Sequence, residues 1–211
     1  MKWAVVASLL VSTTALAKPP YEVLLDAKRS WTYDVVAGEA GQTIGREETL
    51  SVTKLERRGA YSLVVLEAKD GGDPATLRSL TLLVGPQGVR EVLSVDTDKP
   101  GEKVFHDAYD NGYLPRVYLP AALKKQQFKR GLNRFGEDDR IYDLTGALNR
   151  RSGRTWRMTW KGTYRVPEQE GSAQDGSSKT KYAATVDYDP EVGLTLICPL
   201  NDEKLCLRLR P

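Results

Sequence analysis

The sequence predicts a mainly antiparallel β fold: a strongly curved sheet or half-barrel with one or two short helices, or alternatively a β-sandwich. Three observations predict it. Apolar and polar side chains alternate with a period of two over most of the regular segments, the turns between those segments are short and carry glycine, and stretches with helical periodicity are few. Hydrophobic residues make up 40% and charged residues 28% of the 211, a globular composition that excludes collagen, a coiled coil and a disordered acidic tail. The formal net charge of +3 is too small to imply a nucleic-acid partner. One histidine and two cysteines are too few for a structural zinc site.

The elements follow in chain order. Lys2, the apolar run from Trp3 to Thr14, and the small residues of Ala15-Leu16-Ala17 read as a signal peptide cleaved after Ala17, leaving 18–211 as one β domain that is secreted or periplasmic. The run is shorter than the roughly 20 residues that cross a bilayer, so no transmembrane anchor is expected. No cysteine follows the small residues to accept a lipid. Tyr21 to Ser30 is read as a short helix. Trp31, Tyr33 and Val35 alternate with Thr32 and Asp34 as a first strand, followed by strands over Leu50–Leu55, Tyr61–Ala68, Leu77–Val84 and Val89–Val95, all rich in Val, Leu, Thr and Tyr.

Arg57-Arg58-Gly59 and Gly85-Pro86-Gln87-Gly88 are tight turns, so the strands they join are antiparallel neighbours. Asp70 to Pro74 and Gly171 to Ser178 are longer polar loops. Between Asp96 and Thr155 the pattern is weakest; a small insertion or lid, or two more strands, fits there, with a helix over Ala121 to Phe135. Trp156 to Val166 alternates most cleanly, and Tyr182, Ala184, Val186 and Tyr188 form another strand. Leu194–Ile197 and Leu205–Leu207 close the chain as a hairpin, bringing the total to about nine strands. In an oxidising compartment Cys198 and Cys206 are expected to form a disulfide across that hairpin, a structural staple worth about 2 to 3 kcal/mol.

Trp31-Thr32-Tyr33 followed by Gly38, and the late turn Tyr188-Asp189-Pro190-Glu191-Val192-Gly193-Leu194, resemble bacterial exported β-domains that open on a Trp-x-Tyr strand and end with a Gly-Val-Gly-like turn into a last strand. More distantly, a signal peptide followed by a strand meander around an occasional helix is similar to the half-barrel of periplasmic lipoprotein carriers. The resemblance implies a fold, not an activity.

Two faces are candidate binding surfaces. Trp31, Tyr33, Trp156, Trp160, Tyr164 and Tyr182 share the apolar side of a period-two pattern and form either a core or a concave wall for an apolar or amphipathic, lipid-like envelope ligand. The segment from Tyr109 to Leu119, which includes Tyr118, is a rim for such a pocket or a packed surface loop. Arg157, Lys161 and Arg165 fall on the opposite side as a basic stripe. Lys124, Lys125, Lys129, Arg130 and Arg134 form a second basic cluster. Side by side, the two would suit an acidic protein or the phosphate of a glycolipid; otherwise they are solvated faces.

His106 beside Asp107 is a weak candidate for a general base, read as a solvent-facing loop residue. Asp96, Asp98, Glu102, Asp107 and Asp110 do not follow the EF-hand spacing. With no nucleophile elbow, metal constellation, phosphate loop or cofactor motif, the sequence reads as an exported, non-enzymatic binding protein. A structural or protein-interaction module using the basic face is the alternative, and a secreted hydrolase has the least support.

Overall fold

The computed structural model describes residues 20–39, 41–69, 79–96, 103–107, 116–130, 141–165, 179–198 and 205–211. These residues form a single 3-10 turn, Glu22–Leu25, and thirteen strands. The first five strands are β1 (Ser30–Ala37), β2 (Thr43–Arg58), β3 (Tyr61–Ala68), β4 (Ser79–Gly85) and β5 (Gly88–Asp96). The middle of the chain supplies β6 (Lys103–Asp107), β7 (Tyr118–Pro120), β8 (Gln126–Arg130) and β9 (Ile141–Ser152). The last four are β10 (Thr155–Arg165), β11 (Lys179–Asp189), β12 (Gly193–Cys198) and β13 (Leu205–Leu209).

Twelve strands follow one antiparallel path, β6-β5-β4-β3-β2-β1-β13-β12-β11-β10-β9-β8, and β7 adds to β5. The first and last strands meet in mid-sheet, where β1 pairs with β2 on one edge and β13 on the other. The far edge of β5 is shared: β7 takes Gly88 to Arg90 and β6 takes Val92 to Asp96. The path does not close, yet the sheet curves enough to bring its two ends together. The Tyr118 ring on β7 lies 6.1 Å from Phe128 on β8 and 5.4 Å from Trp160 on β10.

Alternation decides which side chains fill the concave side. Trp31, Tyr33 and Val35 of β1 are buried there with Val64 and Leu66 of β3, Leu80 and Leu82 of β4, Met158 and Trp160 of β10, and Val186 and Tyr188 of β11. The 3-10 turn packs into the same core through Leu24, and Tyr21 meets Tyr188 with ring centroids 5.1 Å apart. Polar atoms carried into the interior find carbonyls. Trp31 Nε1 donates to Val192 at 2.6 Å, Tyr33 Oη to Leu194 at 2.9 Å, Tyr188 Oη to Pro20 at 2.6 Å, and Tyr21 Oη to Pro120. On the convex side Val36, Leu196, Cys198 and Cys206 form a smaller cluster. Cys198 and Cys206 sit at disulfide distance, Cα–Cα 4.5 Å, as the terminal hairpin requires.

The turn between β4 and β5 depends on Gly88. Its φ of +107° is a conformation L side chains rarely adopt, and a Cβ there would run into the backbone of Leu119 and Pro120. Gly88 thus permits both the turn and the close approach of β7.

The antiparallel curved sheet agrees with the expectation, and β3 has the predicted bounds. Three expectations are corrected. The strands number thirteen rather than about nine, because 96–155 contributes four of them and not a simple insertion. Tyr21 to Ser30 holds only the four-residue 3-10 turn before the chain enters β1. Within Ala121 to Phe135 the described part is an open link and strand β8, whose Gln126 to Arg130 pair with Leu148 to Leu144 of β9. Lys, Gln and Arg favour helix locally, but a ladder and the burial of Phe128 against the core override so weak a preference. The loops at 70–74 and 171–178, the signal segment 1–17 and the acidic positions 98, 102 and 110 lie outside the described residues.

Candidate binding seam

The aromatic face separates into two groups. Trp31 and Tyr33 are 4% and 0% exposed, and their polar atoms are bonded to backbone carbonyls near the β11–β12 turn. Both are core side chains that tie β1 to that turn. Burial pushes the Tyr33 and Tyr188 hydroxyls well above the ordinary tyrosine range, because a phenolate there would lose its hydration. Trp156 is half-buried against the same core. The side chains of Tyr164, Tyr182 and Arg165 lie outside the description.

Trp160 differs from these. It is 3% exposed, yet its indole N–H has no hydrogen-bond acceptor. A buried donor left in that state costs about 1 to 3 kcal/mol. Trp160 sits where the two ends of the sheet approach each other, with Tyr118 edge-on at 5.4 Å and Phe128 at 6.3 Å. Opposite it on β9 stands Gly146, where a Cβ would lie 2.7 Å from Trp160 Cζ3. The strand pairing thus leaves space for the large ring at a position where a side chain would displace it.

This seam is bridged by the link 121–125 between β7 and β8. Leu123 of the link packs on the core, while Lys124 and Lys125 are exposed, as is Lys129 on β8. The link is shaped locally: Gln126 Nε2 donates to the Ala122 carbonyl at 2.9 Å. On the other side, Arg116 clamps the chain leading into β7. Its backbone N–H and Nε donate to the two oxygens of buried Glu91 at 2.7 and 2.9 Å, and its Nη2 pairs with the same carboxylate. A partly enclosed cavity of about 70 Å³ adjoins the seam, lined by Tyr61, Gln87, Gly88, Val89, Arg90 and Tyr118.

The two basic clusters meet different fates. Arg157 donates through Nε and Nη2 to the two oxygens of Asp187 at 2.7 and 2.9 Å, and through Nη1 to Glu39 at 2.9 Å. Those bonds to Asp187 raise the affinity of its guanidinium for its proton. Arg151 also pairs with Asp187, and Arg208 donates to the Glu39 carbonyl. The tip of the β1–β2 hairpin therefore reaches the convex face and engages Arg157 of the expected stripe from within the protein. Lys161, Lys124, Lys125 and Lys129 are exposed, and Lys129 follows the inward Phe128 on β8 and so faces away from the seam; the side chain of Arg130 is outside the description.

His106 is corrected from loop to strand, in register with Leu93 on β5; its side chain and that of Asp107 are outside the description. Among the described residues no three His, Cys, Asp or Glu side chains gather as metal ligands, and no helix is long and apolar enough to cross a membrane. Composition and spacing did not foreshadow the Glu91–Arg116 clamp, since 25 residues separate its partners. Tyr118, read as part of a rim, does lie at the seam. No protein-family model matches the chain, and no curated protein or solved structure is detectably similar to it.

Proposed function

We propose that the chain is an exported, non-enzymatic binding protein that takes an anionic, single-chain amphiphile of the cell envelope at the seam between β7 and β8. The observation that carries this reading is the orphaned indole N–H of Trp160, buried beneath Tyr118 and Phe128 at the gap in the strand path. A ligand oxygen accepting from that N–H would remove the penalty, and the surrounding rings suit an alkyl chain. The exposed Lys124 and Lys125 of the bridging link would supply complementary charge. An acidic protein on the basic stripe draws less support, because Arg157 and Arg151 already face Asp187 and Glu39.

The reading is tested by titrating the purified protein with dodecyl phosphate below its micelle concentration while following tryptophan emission. Saturable quenching or a spectral shift is expected in the wild type and is expected to fall sharply in Trp160→Phe, which keeps an aromatic ring but removes the donor and the seam's own reporter. Isothermal calorimetry on the same variant separates those two losses: weakened binding supports the hydrogen bond. Unchanged heat and affinity in Trp160→Phe, or no binding by the wild type, refutes the seam as the site.

A further inference from the structure

We infer that the tip of the β1–β2 hairpin is a strap, latched by Glu39, that gates the access of thiols to the Cys198–Cys206 disulfide. It belongs to the convex face and is independent of the seam. Register sets the two cysteines opposite each other on β12 and β13, since Leu196 pairs with Arg208 and Ile197 with Leu207. The disulfide continues sideways into a convex row, with Val36 of β1 beside Cys206 and Thr185 of β11 beside Cys198. This row lies on the outer side of the sheet, yet Val36 and Cys206 are 0% exposed and Cys198 only 7%. Burial to that degree on a convex face requires a cover.

Glu39 provides it. A register shift between Val35 and Val36 inserts Ile44 and Gly45 of β2 opposite no residue of β1, and a bulge of this kind bends the hairpin away from the ladder. Beyond the bend, the Glu39 carbonyl accepts from Arg208 on β13, while its carboxylate accepts from Thr185 Oγ1 on β11 and from Arg157 Nη1 on β10 at 2.9 Å. Between those anchors runs β12. The contacts of one residue thus span three strand spacings, about 14 Å at 4.7 to 4.9 Å each, with the two arginine side chains supplying part of the reach. They pass over β12 where Leu196 and Cys198 stand. A thiolate must reach a sulfur to exchange with a disulfide, and the latched strap occupies that approach. The Arg157 and Glu39 side chains are 25% and 42% exposed, so water competes for both, and the tip can lift at less cost than opening the sheet. Once it lifts, a thiolate bonds to the sulfur of Cys198, the S–S bond breaks, and Cys206 leaves as a thiolate. The second thiol of a dithiol then displaces Cys198, so two electrons pass to the protein and the reagent ends as a cyclic disulfide.

Dithiothreitol at fixed pH is the probe. Oxidised wild type, Glu39→Gln, Glu39→Ala and Gly146→Ala are incubated with it, the released thiols are alkylated and counted by mass spectrometry, and the series is repeated at urea concentrations well below the unfolding midpoint. Reduction through the lifted strap is expected to be nearly independent of urea, because the opening exposes little surface. Glu39→Ala should accelerate it about tenfold, the range of a hydrogen bond to a charged group, with Glu39→Gln in between. Gly146→Ala, which crowds the concave core and leaves the strap alone, should keep the wild-type rate. Equal rates in wild type and Glu39→Ala would overturn the strap. So would a rate that climbs with the full unfolding slope from zero urea, since reduction would then wait for the whole sheet to open. Alkylation of both cysteines before any dithiothreitol is added would also overturn it, by leaving no disulfide to gate.

Discussion

Replacing Asp187 by Asn should destabilise the protein more than any other single exchange of one carboxylate oxygen on the convex face. Asp187 is fully buried, and both of its oxygens are taken: Arg157 binds them at 2.7 and 2.9 Å, and Arg151 adds a further contact. Removing one partner of a buried ion pair generally costs 3 to 5 kcal/mol. Here two features reduce the loss. The Arg157 and Arg151 side chains are 25% and 51% exposed, so water recovers part of their solvation, and Asn keeps one acceptor. Its amide NH2, however, must face a guanidinium donor. The balance is about 2 to 3 kcal/mol. In urea, with a slope of about 2 kcal/mol/M, the midpoint followed by circular dichroism should fall by about 1 to 1.5 M. Because Arg157 also holds Glu39, Glu39→Gln and Asp187→Asn should couple in a double-mutant cycle by more than about 0.5 kcal/mol. A loss below about 0.5 kcal/mol, or strict additivity, would show that the hairpin tip does not rest on this pair in solution and would refute the network.

Three further perturbations probe other parts of the fold. Substituting both Cys198 and Cys206 by Ser opens a link with a sequence separation of 8; the chain-entropy relation gives a loss of about 2.5 kcal/mol, to be read from the denaturation midpoint with the reduced wild type as a parallel control. Gly146→Ala places a Cβ 2.7 Å from Trp160 and 2.8 Å from Met158; an overpacking cost of about 1 to 3 kcal/mol, offset by about 0.5 to 1 from the removal of glycine's extra freedom, leaves a net loss near 1 kcal/mol and a shifted tryptophan emission. In alkali the folded state should fail as the buried tyrosines are titrated. Tyr33 and Tyr188 hold their protons above the ordinary value near 10 because of burial, so the unfolded state gives up protons first. Their stabilising contribution is complete below about pH 10 and falls as pH rises from there toward the folded-state values. Absorbance at 295 nm after a pH jump should show a fast phase from exposed tyrosines and a slow one that coincides with loss of circular dichroism.

The fold was legible wherever one face of a strand meets the core and the other meets water. Arg157 to Lys161 and Trp31 to Val35 display both faces, and their alternation carries through to the observed burial. It was illegible where local chemistry points elsewhere. β8 is built from Gln, Lys and Arg around one Phe, a helix-compatible string whose strand identity comes from a partner some twenty residues away. β9 places Gly146 in the middle of its inner row, which interrupts the apolar alternation at the point where Trp160 needs room. β7 has three residues and is held by a buried carboxylate on β5. A short segment fixed by tertiary contacts leaves little periodicity to read.

The same reasoning explains why alternation alone could not divide a packed wall from a binding wall. Trp31 and Trp160 look alike in sequence: both occupy inward positions of regular strands, and both end almost fully buried. What separates them is whether the indole N–H is met. Trp31 lies near the turn joining β11 to β12, where the carbonyl of Val192 reaches it at 2.6 Å. Trp160 lies under two aromatic rings at the gap between the sheet's ends, where ring faces and edges supply no strong acceptor. Nothing within a few residues of either tryptophan predicts that difference, since it depends on which distant strand passes overhead. Periodicity thus identifies the side chains that turn inward, while hydrogen-bond satisfaction at those side chains decides which of them merely fill space. On that criterion the proposed binding site is the seam and not the aromatic face as a whole.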